Sequence, residues 1–266
     1  MIRVLLFYIL LQPRVCVSLT YDDGPRVGVT DRLLDTLFLY GVKATFFPIS
    51  EWWRGGARDL VIREIRAGHE VGLHSVHHDW ACYKNGRGCN RVEYKAWIKR
   101  EWVRPWVKLR ELYRLYGEDR DRIWIRFPWC KWNSHVNRFR GSIGGVLAPC
   151  GRNWDLKRVG VKREVEGIKW TIRRAIQAVK RCNSDQRTSA DLKYCDGLLW
   201  ENDRWMWRGW GLIRQGIGYR AVVVIMKHDQ RRGVVKVTRE VLKWWRGHKV
   251  IDGVGVEFST LTGCLL

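Results

Sequence analysis

The chain has 266 residues, 46% of them hydrophobic, which suits one large domain or two small ones and excludes a chain too polar to bury a core. Lysine and arginine number 49 against 27 acidic residues, a net charge of +22 that bears on partners and not on fold. Anionic glycans, teichoic-type polymers, a membrane surface and nucleic acid are the partners such a charge suits. The 17 tryptophans are spread along the chain and not grouped with Lys/Arg in a nucleic-acid-binding motif, which puts glycan first among them.

Residues 1–13 form a short apolar N-terminal segment. Arg3 followed by the apolar run 4–11 resembles a signal sequence, but a first core strand from about Arg14 leaves almost no room for a cleavage region. A leader and an uncleaved first strand both fit. The run is far short of the roughly 20 residues that span a bilayer. Residues 14–266, with no Pro/Ser/Gly linker or repeat to divide them, read as one domain.

Val15 and Val17 alternate in a strand that Gly24-Pro25 ends, placing Asp22 and Asp23 at its lip. Neighbouring strand side chains point to opposite faces, but where strand becomes loop both can turn to one site. Two carboxylates that close need a cation or a shared proton between them. Helical spacing of Leu33, Leu34, Leu37 and Phe38 predicts a helix over 29–40, ended by Gly41. Residues 42–48 are strand-like, 59–67 form a second amphipathic helix closed by Gly68, and 70–73 form a short strand delivering His74. This alternation predicts a parallel sheet with crossover helices. A long helical stretch over 94–116 is interrupted by Pro105. Residues 123–126 form a strand delivering Arg126, 144–147 a short strand, and 165–181 a helix. Residues 182–211 read as an insertion, polar first and Trp-rich later. The Ala-Val-Val-Val-Ile-Met run at 221–226 is the clearest buried strand, with Lys227 after it facing away from the core. A last full helix, 234–245, precedes short strands at 249–251 and 256–258.

Asp22, His74, Arg126 and His228 each fall at the C-terminal end of a predicted parallel strand, the face on which β/α barrels build their sites. Periodicity alone leaves an open doubly wound sheet as the other arrangement. His74 and His78 are four apart, a spacing that lets two imidazoles on one helical turn share a metal. With Asp23 they make a His-His-Asp set that leaves positions open, the pattern of a catalytic zinc site; cobalt, nickel and manganese also accept such ligands. Of eight cysteines, Cys82/Cys89, Cys130/Cys150 and Cys182/Cys195 make three local pairs suited to disulfides in an oxidising compartment, while Cys16 and Cys264 lie in apolar terminal segments. Eight free thiols are the alternative. No Cys-x-x-Cys pair points to a structural zinc.

Several stretches, in order, resemble the motifs of the polysaccharide deacetylase family, the NodB-homology or carbohydrate esterase 4 group. They are Thr20-Tyr21-Asp22-Asp23-Gly24-Pro25, Ala44-Thr45-Phe46-Phe47, the run from Gly68 to His78, Arg126-Phe127-Pro128-Trp129 and Ile225-Met226-Lys227-His228-Asp229. The resemblance spans roughly residues 14–260 and implies a distorted (β/α) barrel of about seven parallel strands. It implies a metal-dependent hydrolase that removes N-acetyl or O-acetyl groups from a polysaccharide such as chitin or peptidoglycan. Asp22 matches the general base, Asp23, His74 and His78 the metal ligands, and His228 the general acid. Arg126 matches the residue that holds Asp22, and the backbone N–H of Trp129 the oxyanion donor. Asn133 and Trp132 follow the third motif, where they line a sugar groove or merely pack. The fourth motif falls on Trp154-Asp155-Leu156 or on 200–205 with Asp203; Asp155 fits the distance better, and it would orient His228 or pair with Arg126. Phe127 and Met226 depart from the family's usual Pro and Leu. An extracellular or cell-surface monomer follows as the expected setting. A non-catalytic glycan- or polyanion-binding protein on the same scaffold, and a small-molecule amide hydrolase, are the competing readings.

Overall fold

The computed structural model describes residues 13–84, 87–117, 120, 122–131, 134, 137–138, 140, 145–149, 152–153, 160–186, 188–196, 198, 210–215, 218–229, 231 and 233–265. The apolar segment 1–12 lies outside them. Strand β1 (Arg14–Asp22) leads through helix α1 (Thr30–Tyr40) to β2 (Thr45–Phe47), and through α2 (Gly55–Arg66) to β3 (Glu70–Val71). A two-residue hairpin, β4 (Tyr83–Lys84) and β5 (Arg87–Gly88), precedes α3 (Arg91–Ile98) and α4 (Arg104–Tyr116). Strands β6 (Trp124–Ile125), β7 (Val146–Leu147) and β8 (Arg152–Asn153) follow, then α5 (Val161–Cys182) and α6 (Ser189–Asp196). Strands β9 (Trp210–Gln215) and β10 (Gly218–His228), helix α7 (Val234–Arg246), strands β11 (Val250–Ile251) and β12 (Val254–Ser259), and α8 (Leu261–Leu265) complete the chain.

Seven strands run parallel in the order β7-β6-β3-β2-β1-β10-β8, with an isolated bridge from Leu73 to Ile125 carrying the path from the β3 segment to β6. Among the described residues no ladder joins β7 to β8. Strand β12 adds in parallel to the N-terminal half of β1, whereas β9 and β11 are antiparallel additions. The fold is α/β with a mostly parallel sheet, and its register sets Asp22 directly opposite His228.

Strand periodicity sorts β1 by face. Val15, Val17, Leu19 and Tyr21 pack in one apolar cluster with Leu33 and Leu37 of α1, Ile172 and Ile176 of α5, and Val237 and Val241 of α7. Cys16 belongs instead to a second cluster on the opposite face, with Phe47, Trp124, Ala148, Val222 and Val224. Asp22 is six residues after Cys16 and shares its parity, so it points away from the helical layer.

Two expectations are corrected here. Phe38 shares the helical spacing of α1 but is 82% exposed; the stripe that packs is Leu33, Leu34 and Leu37. Lys227 does not escape the interior: it is buried on the helical side of β10, and its Nζ pairs at 2.5 Å with Glu164 Oε2 on α5. The interruption expected at Pro105 is a π turn just ahead of it. Residues Lys99–Val103 form a π turn in which the Arg104 N–H bonds to the Lys99 carbonyl, and α4 continues from there.

Cys82–Cys89 and Cys182–Cys195 are disulfide-bonded, as is Cys130, and Cys150 lies outside the described residues. A Cys16–Cys264 bridge ties β1 to α8. No described cysteine is free.

Candidate active site at the strand ends

Asp22 is the last residue of β1, and Asp23 follows with φ of 69°. That left-handed step, which aspartate tolerates better than most residues, breaks the strand's alternation and lets adjacent carboxylates serve one site. The Asp23 N–H donates to the Phe47 carbonyl at 3.1 Å, fixing the turn against the end of β2. Gly24 is required next because a Cβ there would lie 1.8 Å from Asp229 Oδ2.

Arg126, which follows β6, is fully buried and reaches across the sheet. Its Nη1 donates to Asp22 Oδ1 at 2.6 Å and to Thr20 Oγ1 at 2.8 Å, and its Nη2 to the Pro149 carbonyl at 2.5 Å. The guanidinium carbon stands 4.2 Å from the Phe47 ring centroid. Burial pulls the Arg126 pKa down and the Asp22 carboxylate opposes it; the hydrogen bonds hold the two side chains in one orientation.

The Arg126 backbone carbonyl is engaged as well, 2.9 Å from His74 Nδ1. A carbonyl only accepts, so His74 carries its proton on Nδ1 and presents Nε2 as a lone pair. His74 Nε2 lies 3.4 Å and His78 Nε2 3.3 Å from Asp23 Oδ1. His228 Nε2 lies 3.6 Å from the other oxygen, Oδ2. Burial alone would raise the Asp23 pKa; the approach of His74, and then of His228 and His78, outweighs it and brings it to about 2. Burial and the neighbouring His74 lower the His78 pKa, against the pull of Asp23 and Asp22. One ligand atom each from Asp23, His74 and His78 lies within 4.8 Å of the others. Two imidazole nitrogens and a carboxylate oxygen that close fit a divalent cation.

Trp129 has φ of 57°, is 69% exposed, and sets its ring edgewise to His78 at 4.9 Å. His77 turns outward, its Nδ1 2.7 Å from Glu101 Oε1, and does not join the set around Asp23. His69 is buried with Nδ1 accepting the Ala44 N–H at 3.1 Å, and burial, then Lys43 and Arg63, lower its pKa to about 3, a neutral packing role. Asn133, Asp155, Trp132, Trp154, Asp203 and His135 lie outside the described residues.

Two residues without an assigned role in the sequence reading support this site. Asp229 follows His228, and its N–H donates to the Asp22 carbonyl while its Oδ2 accepts the Thr30 hydroxyl at 2.8 Å. Its position beside His228 in the motif is the signal that was available. Thr20 shares Arg126 Nη1 and lies one strand repeat before Asp22, so strand parity points to it.

The family model described as polysaccharide deacetylase matches residues 12–144. A peptidoglycan-N-acetylglucosamine deacetylase of Bacillus cereus is 46% identical over 86 residues, 30% of this chain and 29% of that protein. The deacetylase PgdA of Listeria monocytogenes is 47% identical over 62 residues, 23% of this chain and 13% of that protein. The aligned segments thus span under a third of these curated relatives. The solved peptidoglycan deacetylase PdaC from Bacillus subtilis superimposes with a TM-score of 0.56 at 18% identity, covering 96% of this chain and 90% of that one. The Xyl-CE4 domain of a xylanase from the hindgut metagenome of Trinervitermes trinervoides gives 0.57 at 18% identity, covering 94% and 89%. Both likenesses are of fold.

Proposed function

This chain belongs to the polysaccharide deacetylase family, and from that premise we propose that it is a metal-dependent hydrolase removing N-acetyl or O-acetyl groups from a polysaccharide such as chitin or peptidoglycan. The observation that carries the reading is the division of labour around Asp23: His74 and His78 approach one oxygen, His228 approaches the other, and Asp22 stands beside it clamped by Arg126.

Asp23, His74 and His78 would hold the cation, zinc by preference, with cobalt, nickel or manganese also suited to the ligands. Bound there, such an ion supplies Lewis acidity toward the acyl oxygen and a more acidic water. The protein's own groups do the rest. Arg126 engages Asp22 through Oδ1, which fixes the carboxylate's orientation and leaves Oδ2 to take a proton from the attacking water. The Trp129 backbone N–H stabilises the oxyanion and its exposed indole contacts sugar; Asn133 is a further proposed sugar contact. His228 returns a proton to the departing amine or alcohol, so that acetate and the free sugar group leave. Asp155 is the proposed partner that orients His228 or pairs with Arg126.

The three described disulfides and the absence of any free described cysteine support an extracellular or cell-surface setting. Among the described residues no helix is long and apolar enough to cross a membrane.

The test is acetate release from N-acetylglucosamine oligomers, peptidoglycan and acetylated xylan by protein loaded with each metal. Asp22→Asn should lower turnover by at least about 10²-fold, the lower range for removal of a general base. A wild type that releases no acetate from any of these substrates with any of the four metals would overturn the reading.

A further inference from the structure

We propose that Glu101 is a positioning residue for this site: its buried carboxylate sets the turn between His74 and His78 and holds His77 out of it. The inference rests on the reading of Asp23, His74 and His78 as metal ligands.

Glu101 is fully buried and lies on the π turn of residues Lys99–Val103. Its Oε2 accepts the N–H groups of Val76 at 3.1 Å and His77 at 2.9 Å. Its Oε1 is 2.7 Å from His77 Nδ1 and 2.8 Å from Arg100 Nε. Four N–H donors, three of them from the segment that separates the two imidazoles, thus converge on one carboxylate. Both ends of the turn are left-handed at residues other than glycine, Ser75 with φ of 64° and His78 with φ of 61°. Such residues are strained and persist only where surrounding contacts over-determine them. The carboxylate supplies those contacts from beneath, while Ser50 and Glu51 N–H groups bond to the Ser75 and Val76 carbonyls from the side.

His77 carries the same ligand chemistry as His78 and sits one residue earlier, so a shift of register in the turn would exchange them. Bonding His77 both at its backbone N–H and at Nδ1 prevents that shift. His77, Asp79 and Glu101 also bring their donor atoms close together. Glu101 has both oxygens occupied by N–H donors, one from a guanidinium, so this cluster is a clamp and not a second cation site.

Pro105 explains why Glu101 is available. A proline cannot give an N–H to the carbonyl four residues before it, which is that of Glu101. The chain widens into the π turn, and two adjacent side chains, Glu101 and Trp102, both become fully buried.

The experiment compares wild type, Glu101→Gln, Glu101→Asp and His77→Ala by zinc dissociation constant, measured by competition with a chelator, alongside the melting temperature of each metal-free protein. Glu101→Gln keeps the size of the side chain but turns an amide N–H toward donors. It should fold and lose about 10–100-fold in zinc affinity, the usual cost of removing an outer support of a metal site. Glu101→Asp should recover part of the loss, and His77→Ala, which keeps both backbone N–H bonds to Oε2 and removes the competing imidazole, should lose less than Glu101→Gln. Zinc affinity unchanged in Glu101→Gln, whatever happens to its melting temperature, overturns the proposal. If Glu101→Gln does not fold, Glu101→Asp decides: weaker zinc binding supports the role and unchanged binding ends it. A wild type that binds no zinc, cobalt, nickel or manganese overturns the metal-site reading, and this inference with it.

Discussion

Asp229 shows how one buried side chain ties the chemistry to stability. Burial pushes its carboxyl pKa from 3.8 up to about 7, the Thr30 hydroxyl opposes that shift, and the charges of Asp23 and Asp22 reinforce it. The native state therefore holds a proton that the unfolded chain has lost. This contribution to stability is complete below about pH 4 and disappears as the pH rises through about 7. Asparagine keeps an oxygen for Thr30 but does not titrate. Between pH 4 and pH 8, urea unfolding of the metal-free proteins should move in favour of Asp229→Asn relative to wild type by up to about 4 kcal/mol. Parallel pH profiles would show that Asp229 is ionised in the fold. Asp22, Asp23, His74, His78, Arg126 and His228 are legible in the sequence because each lies within a short motif at a strand end. Glu101 is not, because it meets its turn from 24 residues away through a helix whose π turn no periodicity announces.

At the scale of elements, the strands and helices that read most clearly are those with an uninterrupted apolar rhythm: the start of β1, the core of β10, α1, α5 and α7. Boundaries were less legible, since β10 begins at Gly218, ahead of its apolar run, and α5 at Val161. Residues 182–211 contain α6 and the start of β9, which extends the sheet antiparallel to β10. The Cys16–Cys264 bridge was not legible because its partners are 248 residues apart and meet only through the pairing of β12 with β1. Lys227 was misread because a charge in a buried strand looks like an exit from the core, and its partner is on another element. The Lys227–Glu164 pair fastens β10, which ends in His228, to the first turn of α5. Buried pairs cost desolvation that their attraction barely repays, but a lone survivor is costly. Lys227→Met should destabilise by about 3–5 kcal/mol, whereas Lys227→Met combined with Glu164→Leu should recover most of that loss. Urea unfolding of the four proteins of this cycle measures it, and a double variant as unstable as the single one would place the pair among the supports of the fold.

For the whole molecule, the excess of cations and the abundance of tryptophan are partly one feature. Lys131 lies over Trp80, Arg174 over Trp170 and Lys249 over Trp245, at 4.6, 5.7 and 5.4 Å from the ring centroids. Trp53 and Trp102 are buried in the core, whereas Trp129 is exposed beside His78. The tryptophans thus divide among packing, pairing with cations and the site, a division that composition alone does not reveal. Pairing with a ring leaves the charge in place, so the surface still attracts polyanions at long range while the site works through contacts of a few ångströms. Salt separates the two. Raising it from about 0.1 M to about 1 M shortens the screening length from about 10 Å to about 3 Å. Retention on a wall preparation carrying anionic polymer should fall at least about tenfold over that range. Acetate release from neutral, soluble N-acetylglucosamine oligomers should change by less than about twofold, because Asp22, Arg126, His74 and Asp23 are screened from solvent by burial. If turnover of the neutral oligomers falls in step with retention, the positive charge acts within the proposed site and not as a separate means of holding the protein on a polymer.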